Sequence, residues 1–243
     1  MNILNDVRLA EYSSYKIGGP AKYFVITRTI EEVKEAIDFA KAEGLKFFIL
    51  GGGTNLLFSD EGYDGLVIKN ELKGVKISGE ILTVKSGENL TLTVKKTLEN
   101  GLAGLEWAYG VPGSVGGAIR GNAGAYGGEM KDSVLSVTSI NLETGEVIKR
   151  ENKDCDFGYR NSIFKQNGKE MILEAEIGLE KDETGKANEI AESHMQQRKD
   201  RHPLDKPCAG STFKNVDARG LSDEEKKNSS LRTTPSRSYR SVI

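Results

Sequence analysis

The stretch from residue 101 to residue 128, GLAGLEWAYGVPGSVGGAIRGNAGAYGG, constrains this chain more than any other. Ten of the protein's 28 glycines fall in it, interleaved with Trp107, Tyr109, Pro112 and Tyr126. Glycine at this density carries a conformational-entropy cost, so it is kept where backbone turns at positive φ or must come close to another group. Without Cβ atoms, successive amide N–H groups can converge on one anion. A flexible linker would be serine-rich or polar and would lack a tryptophan, two tyrosines and the apolar Val111, Val115 and Ile119. The composition therefore points to a ligand cradle. It is not a G-x-G-x-x-G dinucleotide fingerprint, because no single strand–turn–helix unit frames it.

A second glycine run closes a β-α-β pattern upstream. Residues 23–26 are β-prone, behind the turn element Lys16-Ile17-Gly18-Gly19-Pro20. Thr29 and Glu32 are spaced as a capping box, Ile30, Val33, Ile37 and Ala40 share one helical face, and Gly44 ends the helix. Phe47-Phe48-Ile49-Leu50 reads as a buried strand that empties into Gly51-Gly52-Gly53-Thr54-Asn55. Three glycines at a strand's carboxyl end let amides close on a pyrophosphate, while Thr54 and Asn55 add side-chain hydrogen bonds. Taken alone the loop also admits a plain tight turn, the lesser reading, and the 101–128 stretch weighs further against it. With no G-K-[ST] ending, it is not a Walker A loop.

From residue 66 the pattern favours strands: 66–68, 75–77, 81–85, 134–142, 146–150 and the alternating 171–179. Helices are expected over 90–100 and 187–199. The net charge of −2 and 37% hydrophobic content describe an ordinary soluble protein with no nucleic-acid or membrane partner. No run reaches the ~18 apolar residues of a membrane span, and the first residues lack a signal peptide's apolar centre, so a cytoplasmic location is expected. Cys155 and Cys208 match no metal or redox spacing, and two histidines, His194 and His202, make a zinc site or a Ser-His-Asp triad a poor reading. No metal is expected. Arg160, in Phe157-Gly158-Tyr159-Arg160-Asn161-Ser162-Ile163-Phe164-Lys165, sits among aromatic and apolar neighbours. A partly buried guanidinium there answers either an anionic ligand or a structural ion pair. Ala209-Gly210-Ser211-Thr212-Phe213-Lys214-Asn215 is by itself a polar turn.

Six motifs together resemble the MurB family of UDP-N-acetylenolpyruvoylglucosamine reductases in order and spacing: 17–21, 51–55, 111–118, 122–127, 158–165 and 210–215. The resemblance covers residues 8–217 and is nearest the family's shorter branch. It implies an α+β chain with a two-lobed FAD-binding fold of the vanillyl-alcohol-oxidase (PCMH) type, lobe 1 over 1–70 and lobe 2 over 71–186, then a substrate domain over 187–243. FAD would be bound non-covalently, since no histidine adjoins either glycine loop in sequence. Its site would comprise Gly51, Gly52, Gly53, Thr54, Asn55, Pro112, Gly113, Ser114, Gly116, Gly117, Asn122, Gly124, Ala125 and Tyr126. NADPH would be the co-substrate and a UDP-sugar the small-molecule substrate, in a monomer serving peptidoglycan precursor synthesis. Arg160 matches the family's arginine that stabilises the developing enolate, and Ser211 its proton-donating serine. Lys214 and Asn215 fall on the substrate side, Asn215 near the nucleotide phosphates.

The end of the chain departs from the family. After Asn215 it runs through the charged Ser222-Asp223-Glu224-Glu225-Lys226-Lys227 into NSSLRTTPSRSYRSVI, which lacks acids and apolar periodicity and reads as disordered from about residue 222. The family's C-terminal catalytic glutamate has no counterpart here, so the expectation is an incomplete substrate domain. Three functions remain open: a working reductase, a flavin-binding protein without turnover, and a related FAD-dependent oxidase.

Overall fold

The computed structural model describes residues 1–202 and 205–211, together with the backbone of 216–217 and 239–240. The chain divides into two units, Met1–Cys208 and Ala209–Ile243. Within the described part of the second, Val216–Asp217 pairs antiparallel with Tyr239–Arg240.

The first unit begins with a four-stranded sheet. Strand β1 (Ile3–Arg8) lies antiparallel to β2 (Pro20–Thr27), helix α1 (Ile30–Ala42) crosses over to β3 (Phe47–Leu50), and β4 (Tyr63–Asn70) inserts between β2 and β3, parallel to both. Strand β1 is a finding; its exposed, weakly alternating residues carry no strand signal. The capping box of α1 forms as expected, with Glu32 N–H donating to Thr29 Oγ1 at 3.1 Å and Glu32 Oε2 accepting the Thr29 N–H at 3.3 Å. Leu66, Val67 and Ile68 of β4 are buried on both faces, as a continuous apolar run in a covered parallel strand requires. One face packs on α1 through Val33, Ala36 and Ile37; the other is covered by Leu9, Phe24 and Phe58.

A five-stranded antiparallel sheet follows, in the order β11-β10-β12-β6-β5. Its strands are β5 (Val75–Ser78), β6 (Ile81–Lys85), β10 (Val134–Asn141), β11 (Val147–Glu151) and β12 (Glu170–Gly178). Between β6 and β10 come helix α2 (Leu90–Glu99), a short β7 (Leu102–Ala103), helix α3 (Val115–Arg120), the β8–β9 pair (Gly124–Ala125, Gly128–Glu129) and one turn, α4 (Met130–Ser133). A turn α5 (Ile163–Gln166) precedes β12, then β13 (Glu180–Lys181) pairs with β7 and α6 (Ala187–Arg201) ends the unit's regular structure. Ile140, Met171 and Leu173 of this sheet pack into the same cluster as α1, so the two sheets share one core.

Glu170 shows how the second sheet is pinned. It accepts Arg150 Nη2 at 2.7 Å and Nε at 3.1 Å, and Ser139 Oγ at 2.6 Å. Burial pushes its carboxyl up, but the hydrogen bonds from Arg150 and Ser139 more than offset that, and the net shift is downward. A depressed folded-state value adds stability above the unfolded value near 4.5 that is lost as pH falls through the folded one. Glu170→Gln is therefore expected to cost about 2 kcal/mol at neutral pH and to flatten the loss of stability with acid. Denaturant titrations of both proteins across pH 3 to 7 (about this range) check it; parallel curves would count against the pair.

Candidate functional site

The first glycine loop leaves the carboxyl end of β3, the side on which open parallel sheets hold their ligands. Two of its carbonyls, those of Gly51 and Gly53, are held by the protein. Lys69 Nζ donates to Gly51 O at 2.5 Å, and Ser14 donates to Gly53 O through N–H at 3.0 Å and Oγ at 3.4 Å. Gly53 has φ +68°, and a Cβ there would stand 1.8 Å from Tyr12 O, so only glycine fits.

The second loop lies directly against it. A Cβ on Gly52 would meet Gly113 Cα at 2.7 Å, one on Gly51 would meet Ser114 Oγ at 2.6 Å, and Thr54 Oγ1 donates to Pro112 O at 3.3 Å. The amides of Val115 and Gly116 are committed to Glu88 O and Ser86 O at 2.9 and 2.8 Å, and Ser114 Oγ caps α3 by accepting the Gly117 N–H at 3.3 Å. The 101–128 stretch thus contains a helix where the glycines suggested only loop. Gly116 is required there because a Cβ on it would strike Ser86 Cβ at 2.7 Å, and a Cβ on Gly117 would crowd Ser114 Oγ at 3.3 Å.

Six residues of α3, about 9 Å of rise, lead from the paired loops to a second cluster. Asn122, fully buried at φ +41°, donates to Glu129 Oε2 at 3.0 Å and Gly158 O at 2.9 Å and accepts the Lys131 N–H at 3.0 Å. Its side chain is bound internally, and its own N–H donates to Ile119 O at 3.0 Å. Arg160, half-buried at φ +55°, donates to Gly124 O at 2.8 Å and Asn122 O at 3.5 Å, while Lys165 Nζ holds its carbonyl at 2.9 Å. Among the described residues no carboxylate forms an ion pair with it. Two neutral carbonyls aim the guanidinium, which also lies 5.4 Å from the Tyr159 ring centroid.

Tyr126 closes this end. Its ring stacks on His194 with centroids 4.2 Å apart, its hydroxyl donates to His194 O at 3.1 Å, and the Arg198 guanidinium lies 5.0 Å from its centroid. Arg198 Nε donates to Tyr109 O at 3.2 Å, and its Nη2 is buried without an acceptor among the described residues. The sequence reading missed His194 and Arg198 because α6 brings them back across the fold. It also missed Lys69 and Ser14, although a lone lysine ending the apolar 66–68 run was a usable signal. His194 thus adjoins the glycine-rich stretch in space though not in sequence, with Nδ1 engaged at 3.1 Å by Glu106 O. Of the remaining expected residues, Ser211 belongs to the second unit, and Lys214 and Asn215 lie outside the described residues. No helix among the described residues is long and apolar enough to cross a membrane.

Residues 21–150 match the FAD binding domain family. The 6-hydroxy-D-nicotine oxidase of Arthrobacter nicotinovorans shares the fold at 18% identity and a TM-score of 0.56, over 74% of this chain and 42% of that one. The glycine-lined contact between loops, which only the small Thr54 and Ser114 side chains enter, fits a group whose phosphates need close backbone approach. Fold and domain match together define an FAD-binding protein of the vanillyl-alcohol-oxidase type. The UDP-N-acetylenolpyruvoylglucosamine reductase of Clostridium novyi (strain NT) is 40% identical over 213 residues, 87% of this chain and 69% of the relative. The crystal structure of UDP-N-acetylenolpyruvylglucosamine reductase (MurB) from Thermus caldophilus superposes with a TM-score of 0.77 at 27% identity, over 100% of this chain and 88% of that one. The chain belongs to the UDP-N-acetylenolpyruvoylglucosamine reductase family, a family of FAD-dependent oxidoreductases of peptidoglycan synthesis.

Proposed function

We propose that this chain reduces the enolpyruvyl group of UDP-N-acetylglucosamine enolpyruvate to give UDP-N-acetylmuramate, with NADPH as the electron source, as a monomer in the cytoplasm. The observation that carries this reading is the pair of abutting glycine loops at one end of α3 with, at the other, an arginine that has no carboxylate partner among the described residues. FAD, when bound, supplies hydride transfer. The 51–55 loop and the 113–114 part of the 112–117 loop would hold its pyrophosphate through backbone amides, with Thr54 and Asn55 beside them. Gly116 and Gly117, whose amides are bound to Ser86 O and Ser114 Oγ, would give close backbone approach rather than donors. Asn122, Gly124, Ala125 and Tyr126 would line its ring end. Arg160, fixed by two carbonyls, would stabilise negative charge developing next to the substrate carboxylate, a role that needs a preorganised donor rather than a mobile one. Ser211 would deliver the proton to the neighbouring carbon, and Lys214 and Asn215 would contact the substrate. Family membership favours this over an oxidase, since the oxidase likeness is one of fold alone.

The protein is expected to be yellow as purified. Acid denaturation should release free FAD, leaving no flavin attached to the chain. Release of FMN, flavin retained by the precipitate, or a colourless protein that fails to take up added FAD would each sink the cofactor assignment.

A further inference from the structure

Lys69 ends the buried run of β4 and lies under the first glycine loop. Its Nζ donates to Gly51 O at 2.5 Å. In a trans peptide, the carbonyl of one residue and the N–H of the next share a plane and point in opposite directions. Every peptide described is trans, so a Gly51 carbonyl drawn toward Lys69 turns the Gly52 N–H to the opposite side. A Gly–Gly peptide has no Cβ on either flank and rotates more freely than any other. Left unheld, it would present that N–H only part of the time. Ser14 does the same for the next peptides: its two bonds to Gly53 O orient the Thr54 N–H. Burial lowers the Lys69 ammonium below the usual lysine range, with nearby Glu71 opposing, so the cation is set there at a cost.

We propose that Lys69 is a positioning residue for the cofactor, which by holding the Gly51 carbonyl turns the Gly52 N–H toward the FAD pyrophosphate. This rests on the assignment of the pyrophosphate to the 51–55 loop made above. If the unheld peptide is competent in about 1–10% of molecules, apparent affinity falls by the same fraction, about 10- to 100-fold.

The test is FAD titration of deflavinated protein, wild type against Lys69→Met and Lys69→Arg, with thermal unfolding of each apo-protein. Expected are a Met variant with about 10- to 100-fold weaker FAD binding, an Arg variant restored to within about threefold because it still donates to the carbonyl, and apo unfolding midpoints within about 2 °C of each other. Wild-type affinity in Lys69→Met, or a loss that merely follows lower apo stability, overturns the inference. Should the Met variant not fold, Lys69→Leu, which likewise donates nothing to the carbonyl, serves in its place: weaker FAD binding at an unchanged midpoint supports the inference, and full affinity overturns it. Competition by ADP separates the two readings, since ADP shares the pyrophosphate but not the flavin. If ADP does not displace FAD from wild type, the pyrophosphate assignment falls and the inference with it. If ADP competes and Lys69→Met binds as wild type does, only the role of Lys69 falls.

Discussion

Gly52→Val protein is expected to fold and to emerge from purification colourless. Gly52 is not among the glycines at positive φ, so valine meets no backbone prohibition there; what it meets is the second loop. Its Cβ would lie 2.7 Å from Gly113 Cα and 3.0 Å from both Gly113 C and Ser114 N. All three are backbone atoms and cannot rotate aside. Ordinary contact needs 3.4 Å or more, so the loops must part. The stability cost of such overpacking is about 1–3 kcal/mol, which a domain of this size tolerates. The cost to FAD is larger, because amides on both loops lose register with one pyrophosphate. A fall of about a thousandfold, near 4 kcal/mol, is expected. Gly121→Ala is the control: its added Cβ has nothing nearer than Gly117 O at 3.5 Å, and flavin should be retained. Visible absorbance per mole of protein decides the matter, and full flavin occupancy in Gly52→Val would remove the paired-loop cradle.

Arg160→Met should divide the reaction into an intact half and a crippled one. Arginine and methionine are both unbranched at Cβ, so the strained φ of +55° burdens each alike and the change is confined to the guanidinium. Its two carbonyl partners, Asn122 O and Gly124 O, are left unmet, a modest structural effect at a half-buried site. The chemical effect exceeds it. Removing one preorganised charge-stabilising donor costs about 10²–10³ in rate, and that loss should fall on flavin reoxidation by the enolpyruvyl substrate. Flavin reduction by NADPH should stay within about threefold, since no oxyanion forms beside Arg160 in that half. Lysine should restore little, as it lacks the planar fork that engages two acceptors at once. Stopped-flow absorbance of each half-reaction is the measurement. Equal slowing of both would make Arg160 a brace for the 122–124 segment.

Where the sequence was readable, one local rule governed each element. The α1 capping box, the 66–68 strand and the alternation over 171–179 all specify their structures through neighbours in sequence, and all appear. Phe47–Leu50, read as a buried strand, is instead a mostly half-buried edge strand. Helix α3 was hidden because Gly116 and Gly117 are poor helix formers; its stability comes from the Ser114 cap and from Ser86 and Glu88, which sit across the fold. The two glycine loops and Arg160 stood out by composition, whereas the groups that aim them did not. Lys69, Ser14, Glu129 and Arg198 gain their roles only through tertiary contact, and a single lysine or serine carries no pattern until its partner is known.

The shared core bears on how the chain is made. Ile140, Met171 and Leu173 cover the same cluster as α1 and β4, although a hundred residues separate the latter from the last of them. As the polypeptide leaves the ribosome, the α1–β4 cluster must wait without the part of its cover that Ile140, Met171 and Leu173 supply until the strand carrying Leu173 has emerged. The opening third of the protein is therefore exposed to misassociation throughout synthesis of the rest.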